Sequence, residues 1–377
     1  MPPIVIVGSG LAGWTVVREL RKLDRTVPIS LVTADDGDFY AKPMLSNALA
    51  QDKSPAQLVG TAAEAMAAQQ GVTLLRQTRT HGIDRARKAL LSDRGEVPYS
   101  RLVLALGADP IRLPLAGEAA DAVLSVNDLA DYARFREALK EARGVAILGA
   151  GLIGCEFAND LAAAGHAVTV LDPAAWPLAS LLPQPAGEAL LSPLAALGVS
   201  WRLGRAVKAV DRDGSGYRLT LDNGDRVDAD MVLSAVGLRP RIALAKEAGL
   251  AVNRGILADA LLRTSDADIF ALGDCAEIEG QVRPYVLPIM HAARALAQTL
   301  SGTPTPVAFP PMPVVIKTPA CPVAAQPAAR DAQGEWEITA DARGVKGLFR
   351  DAAQRLKGFA LTQAYADERA ALTKQLA

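Results

Sequence analysis

Two copies of one glycine pattern constrain this chain more than any other feature. The first, Gly8-Ser9-Gly10-Leu11-Ala12-Gly13, follows an apolar, β-branched run (Ile4, Val5, Ile6, Val7) and opens a helical stretch to about residue 23. A second strand over 29–33 then leads to the acidic pair Asp35-Asp36. The second copy, Gly149-Ala150-Gly151-Leu152-Ile153-Gly154, follows a strand over 144–148 and opens a helix to about residue 164, ended by Gly165. A strand over 167–172 comes next and finishes in Asp172. The three glycines serve different steric purposes. The first makes a tight turn, the second lets a pyrophosphate approach the backbone, and the third lets helix and strand pack closely. The phosphates then meet the N–H groups and positive dipole end of the helix. The acid after the second strand accepts from a ribose hydroxyl. Two complete units predict two dinucleotide sites rather than a solenoid, whose repeats run about 20–50 residues.

The rest of the chain suits an α/β protein. Apolar runs over 102–107 and 231–237 end in glycine and lead to Pro110 and Pro240, so both read as buried strands entering domain crossovers. Residues 217–221 alternate and read as a hairpin strand. Residues 286–290 precede a helical run over 291–300, with Pro288 suited to a first turn. Prolines cluster over 303–313 and mark a linker, after which 311–377 reads as a small α+β unit. Half of the 377 residues are apolar, which excludes intrinsic disorder. A formal net charge of −1 gives no support to nucleic-acid or membrane-surface binding. The tail alone carries nine Lys/Arg against seven Asp/Glu, and Arg330, Arg343, Lys346 and Arg350 are expected to line a face that steers an acidic partner. Three scattered cysteines build neither a disulfide framework nor a CxxC site, and three histidines make a metal centre unexpected. No positive n-region precedes the first apolar run, and Gly8, Gly10 and Gly13 interrupt it, so neither a signal peptide nor membrane insertion is expected. The expectation is a cytoplasmic protein.

The two dinucleotide units, with Thr264-Ser265-Asp266-Ala267-Asp268-Ile269-Phe270-Ala271-Leu272-Gly273-Asp274, resemble the glutathione-reductase superfamily of two-dinucleotide-domain flavoproteins. The resemblance implies two Rossmann-like domains and a small α+β C-terminal domain: an FAD domain over 1–108 and 239–310, an NAD domain over 109–238, and the tail over 311–377. Disulfide reductases of that superfamily carry a cysteine pair after the second strand, and the Cys-dependent oxidases one cysteine. Residues 39–46 here contain none. Reduced flavin must then pass electrons directly to an acceptor, in this superfamily usually a one-electron iron protein. Thr33-Ala34-Asp35-Asp36-Gly37, Lys42-Pro43-Met44-Leu45-Ser46, residues 149–160, residues 234–240 and Lys317-Thr318-Pro319-Ala320-Cys321-Pro322 are similar to bacterial rubredoxin reductases.

The resemblance also implies roles for residues. Gly8, Gly10, Leu11, Ala12 and Gly13 hold the FAD pyrophosphate. Ala34 and Asp35 face its adenosine ribose, with Asp36 the alternative acid. Thr80 touches the adenine, and Asp274 holds the ribityl chain. Lys42 and Glu156 sit beside flavin N5 as an ion pair, the two residues assigned to catalysis. Val286, at the start of its helix, and Lys317 face the N1/O2 edge. Gly149, Gly151 and Gly154 receive the second nucleotide. Asp172 accepts from a ribose 2′-OH and repels a 2′-phosphate, and no arginine occurs over 172–182, so the electron donor is expected to be NADH. Cys155 reads as a small core residue. The expected function is NADH-dependent, FAD-mediated reduction of rubredoxin, feeding an alkane hydroxylase. A ferredoxin reductase component of an oxygenase system is the alternative enzyme. An NADH-sensing flavoprotein that acts by binding, similar to apoptosis-inducing factor, is the alternative of another class.

Overall fold

The computed structural model of the chain describes residues 2–329 and 331–376. The chain gathers into two compact units: Met1–Lys42, Ala56–Asp109 and Leu238–Pro310 in the first, and Pro43–Pro55, Pro110–Gly237 and Pro311–Ala377 in the second.

The first unit is built on a five-stranded parallel sheet. Its order is Ile269–Ala271, Arg101–Leu104, Ile4–Val7, Ile29–Val32, Thr73–Leu75. Strands covered on both faces need unbroken apolar runs, and Ile4–Val7 is buried at every position. Helix Leu11–Leu23 packs on this sheet through Trp14, Val16, Val17 and Leu20, all fully buried. A second long helix, Val286–Leu300, lies against it, with the Thr15 hydroxyl meeting the Met290 sulfur at 3.9 Å. This helix starts earlier than the sequence pattern placed it. Residues 286–290 form its opening turn, where Pro288 lacks only an N–H that has no helical partner anyway. A three-stranded antiparallel sheet, Thr80–Asp84, Ala89–Ser92 and Gly95–Pro98, also belongs to this unit, and the expected adenine-contact residue Thr80 opens its first strand.

The second unit repeats the parallel theme with the order Val199–Leu203, Ala167–Asp172, Gly144–Leu148, Met231–Ser234. The hairpin expected over 217–221 is the central strand, Gly216–Leu221, of an antiparallel sheet with Val207–Asp213 and Arg226–Ala229. The apolar runs over 102–107 and 231–237 leave their sheets at Leu104 and Ser234, before Gly107 and Gly237, which adopt φ of +72° and +110°. The tail is a five-stranded antiparallel sheet in the order Val314–Ile316, Val323–Gln326, Leu356–Thr362, Gly344–Arg350, Glu335–Asp341. Leu356, Phe359, Leu361, Tyr365 and Leu372 form its core. The tail joins the second unit, and so does Pro43–Pro55, which the sequence analysis assigned to the FAD domain. Among the described residues no helix is long and apolar enough to cross a membrane.

Candidate functional site

The first glycine loop turns directly from the end of strand Ile4–Val7 into helix Leu11–Leu23. A Cβ on Gly8 would come within 2.2 Å of the Ala105 carbonyl oxygen, and one on Gly13 within 1.9 Å of the Gly8 carbonyl oxygen. A Cβ on Gly10 would meet nothing within 4 Å. Two of the three glycines are thus required by the fold, and the third leaves the backbone open. No side chain caps the helix and no acid lies in its first turn. The arrangement fits a dinucleotide pyrophosphate.

Asp35 fixes this loop from the second strand. Its Oδ1 accepts from the Ser9 hydroxyl (2.9 Å), the Thr33 hydroxyl (2.5 Å) and the Gly37 amide (3.0 Å). Asp36 instead accepts from Gln77 Nε2 at 3.0 Å. Of the two neighbouring acids, Asp35 is the one tied to the loop. Thr80 is half-buried at the start of its strand. Asp274 lies in the short 3-10 turn Gly273–Cys275, which follows strand Ile269–Ala271. Gly273 brings that turn against the fingerprint helix: a Cβ there would stand 3.0 Å from the Ala12 methyl. Burial pushes the Asp274 carboxyl above the usual range, and the positive charge of Lys42 pulls it back. Lys42 itself opens the 3-10 turn Lys42–Met44.

The second loop repeats the geometry. A Cβ on Gly154 would stand 1.9 Å from the Gly149 carbonyl oxygen, while Gly151 faces open space. Its pinning differs. The Ala150 amide donates to Asp172 Oδ2 at 2.6 Å, and the Ala150 carbonyl accepts from the Leu178 amide at 2.8 Å and the Cys155 thiol at 3.3 Å. Asp172 Oδ1 accepts from the Ala174 amide at 2.7 Å. The carboxylate therefore orders both the glycine loop and its own turn, and each oxygen keeps a second lone pair. Leu178 adopts φ of +58°, an uncommon conformation for a bulky residue, in making its bond to the loop. Cys155 is wholly buried, and that burial raises its thiol pKa, so it serves as a donor and not as a thiolate.

The helix Leu152–Ala163 after this loop carries the most concentrated polar cluster of the second unit. Glu156 is fully buried, as are nearly all of Asn159 and Asp160. Glu156 Oε2 accepts from Ser46 Oγ at 2.5 Å and is ion-paired with Lys317 Nζ, and Oε1 accepts from the Lys317 amide at 2.9 Å. Within its unit the cation that pairs with Glu156 is Lys317, a partner that the sequence pattern did not point to. That partner lies 161 positions away in the chain, and only the folded tail brings it there. Removing one member would strand the other's charge, at a cost of about 3–5 kcal/mol. Asn159 Oδ1 accepts from the Ala320 amide at 3.1 Å. Asp160 accepts from the amides of Leu49 and Ala50, each at 2.9 Å, and burial holds its carboxyl above the usual range. Sequence reasoning missed Ser46, Asn159 and Asp160. The available signal was three polar residues spaced i, i+3, i+4 on an otherwise apolar helix. Val286 is partly exposed at the start of its helix, whose first turn has no side-chain cap and no acid.

In the tail, Arg343 and Lys346 converge on Glu368 at 3.0 and 3.1 Å, and Arg350 faces Glu337 at 3.4 Å. These basic residues are therefore paired within the tail and do not form a bare cationic face. Arg330, the fourth of that set, lies outside the described residues.

Comparison with known proteins agrees with this architecture. The profile of the pyridine nucleotide-disulphide oxidoreductase family matches residues 2–299, and that of the rubredoxin binding C-terminal domain matches residues 306–376. A rubredoxin-NAD(+) reductase of Alcanivorax borkumensis is 50% identical over 100% of this chain and 99% of its own length. A rubredoxin-NAD(+) reductase of Acinetobacter baylyi is 46% identical over 99% of this chain and 98% of its own. The crystal structure of a ferredoxin reductase from Rhodopseudomonas palustris superposes with a TM-score of 0.90 at 26% identity, covering 100% of this chain and 96% of that one. With both glycine loops in place, one family profile running through both of them and a second profile matching the tail, the chain belongs to the pyridine nucleotide-disulphide oxidoreductases and ends in a rubredoxin-binding domain.

Proposed function

We propose that this chain is an FAD-containing, NADH-dependent rubredoxin reductase. The observation that carries the reading is the pairing of two complete dinucleotide loops with a rubredoxin-binding tail, in a chain with no cysteine over residues 39–46. When bound, FAD supplies the conversion of one hydride into two single electrons. The chain's own residues bind and orient. The open backbone at Gly10, with Gly8, Leu11, Ala12 and Gly13, receives the pyrophosphate. Ala34 and Asp35 take the adenosine ribose, Thr80 the adenine edge and Asp274 the ribityl hydroxyls. Lys42 is assigned to the hydride-accepting edge. Glu156 and Lys317, ion-paired with each other, are assigned together to the flavin ring, and the helix end at Val286 to the N1/O2 edge, where negative charge collects. A helix N-terminus there contributes about 1–2 kcal/mol if partly buried. Gly149, Gly151 and Gly154 receive NADH, with Asp172 accepting from the 2′-OH. Rubredoxin takes the electrons singly, in the cytoplasm, and hands them to an alkane hydroxylase.

Rapid mixing tests the reading. NADH is expected to reduce the bound flavin with a kcat/KM at least about tenfold above that of NADPH, because a carboxylate meets the 2′ position. The reduced protein should be oxidised faster by rubredoxin than by a ferredoxin. Equal use of the two nucleotides overturns the role of Asp172. A faster reaction with ferredoxin overturns the acceptor.

A further inference from the structure

The parallel sheet of the second unit brings three strand ends to one edge. Ala167–Asp172, Gly144–Leu148 and Met231–Ser234 are neighbours in that order and all parallel, so their carboxyl ends lie side by side. Asp172 closes the first, the second glycine loop follows the middle one, and Ser234 closes the third. Ser234 is in register with Leu148, the residue before that loop. From the middle strand the chain runs through helix Leu152–Ala163 to Ala167–Asp172 on one side, whereas Met231–Ser234 lies on the other. The carboxyl ends of Gly144–Leu148 and Met231–Ser234 therefore flank a topological switch point, where open parallel sheets bind their ligands. Loop and strand end are also packed together: a Cβ on Gly149 would stand 2.7 Å from the Ala235 carbonyl oxygen.

Ser234 is poorly suited to a packing role. The register puts its side chain on the same face as Val232 and Leu148, two members of an apolar core cluster. Its Oγ is buried and makes no hydrogen bond to any described residue. Alanine would pack there without leaving a polar atom unpaired, and a buried hydroxyl with no partner costs stability. The residue as a whole is only half-buried, so a rotation about χ1 carries the hydroxyl toward the open strand end. A dinucleotide with its adenosine ribose at Asp172 and its pyrophosphate on the glycine loop crosses the strand ends in that order. One strand further on, roughly 5 Å, comes its second ribose. We propose that Ser234 is a binding residue for the nicotinamide-side ribose, its hydroxyl hydrogen-bonding a ribose hydroxyl. The inference rests on the functional reading above, which gives this loop to NADH.

Nucleotide titration of the FAD-loaded protein tests this. Ser234→Ala is expected to weaken binding of NAD+ and of ADP-ribose about fivefold, the loss of one neutral hydrogen bond. ADP, which ends at the pyrophosphate, should bind the two proteins equally. The Tm of the nucleotide-free protein should be unchanged or higher in the variant, because an unpaired hydroxyl has been removed. Equal weakening of ADP would make Ser234 a support for the loop. Unchanged binding of all three ligands would mean that solvent satisfies the hydroxyl. Weaker NAD+ with unchanged ADP-ribose would move the contact to the nicotinamide ring. Each of these results overturns the proposal, as does a lower Tm in the variant. Failure of NAD+ to bind the unaltered protein would instead overturn the functional reading, so the two failures are distinguishable.

Discussion

Acids carry most of the information at the scale of single residues. Asp35 and Asp172 close equivalent strands, yet they hold their glycine loops differently: Asp35 through the Ser9 hydroxyl, Asp172 through the Ala150 amide itself. A hydroxyl at the middle of the first loop substitutes for a direct backbone contact, and alanine in the second leaves only the peptide to bind. Asp274 is different again. Burial holds its carboxyl above the usual range, against the pull of Lys42, so its ionisation opposes folding of the cofactor-free chain. That cost is absent below the unfolded pKa of about 4 and complete once pH passes the folded value. Asp274→Asn should therefore raise the Tm of the FAD-free protein at pH 7, with the gain shrinking toward pH 4. It should also weaken FAD binding by about 10- to 100-fold through the lost charged hydrogen bond. Calorimetry and FAD titration measure the two effects, and an unchanged Tm at pH 7 would show that the carboxylate is not penalised by burial.

The informative elements are the strand–loop–helix units. Their pattern was readable because three glycines at fixed spacing answer to three distinct steric demands. The structure separates those demands clearly. Gly13→Ala places a methyl 1.9 Å from a backbone oxygen that has no freedom to retreat, and should destabilise the first unit by about 3 kcal/mol or more. Gly10→Ala meets no protein atom within 4 Å, and Gly10 has φ of −65°, which any residue adopts. It should leave the Tm of the FAD-free protein unchanged while lowering FAD affinity at least about tenfold, since the pyrophosphate needs the close approach. Equal Tm losses in the two variants would contradict this division of labour. The helix Val286–Leu300 was less legible. Pro288 marks a helix start in sequence, but whether residues before it are helical depends on the packing of Ile289, Ala292 and Ala293 against the core, a tertiary fact.

Charge is the property that needs the whole molecule. A net of −1 conceals a tail with nine basic against seven acidic residues. Folding then pairs Arg343 and Lys346 with one glutamate, which removes their direct availability but leaves the tail's net sign. Long-range steering follows net charge, screened over about 8 Å at physiological salt. The second-order rate with rubredoxin, an acidic protein in this reading, should fall with ionic strength while flavin reduction by NADH changes little. Glu368→Gln should free both cations and raise that rate about twofold at low salt, with a steeper salt slope. A rate that is flat with salt in both proteins would assign docking to apolar contact.

Sequence alone determined the parallel-sheet cores, both nucleotide loops, the acids that follow them and the antiparallel central hairpin. Each is a local pattern: apolar runs for buried strands, glycines where a Cβ has no room, an acid at a strand end. Three things were decided by tertiary structure. Lys317 became the partner of Glu156, Asp160 became the anchor of Leu49 and Ala50, and Pro43–Pro55 left the unit of its sequence neighbours for the second. A buried carboxylate states in sequence only that it needs donors. Which donors it receives depends on which distant backbone the fold carries past it, and the residues themselves hold no spacing that records that choice.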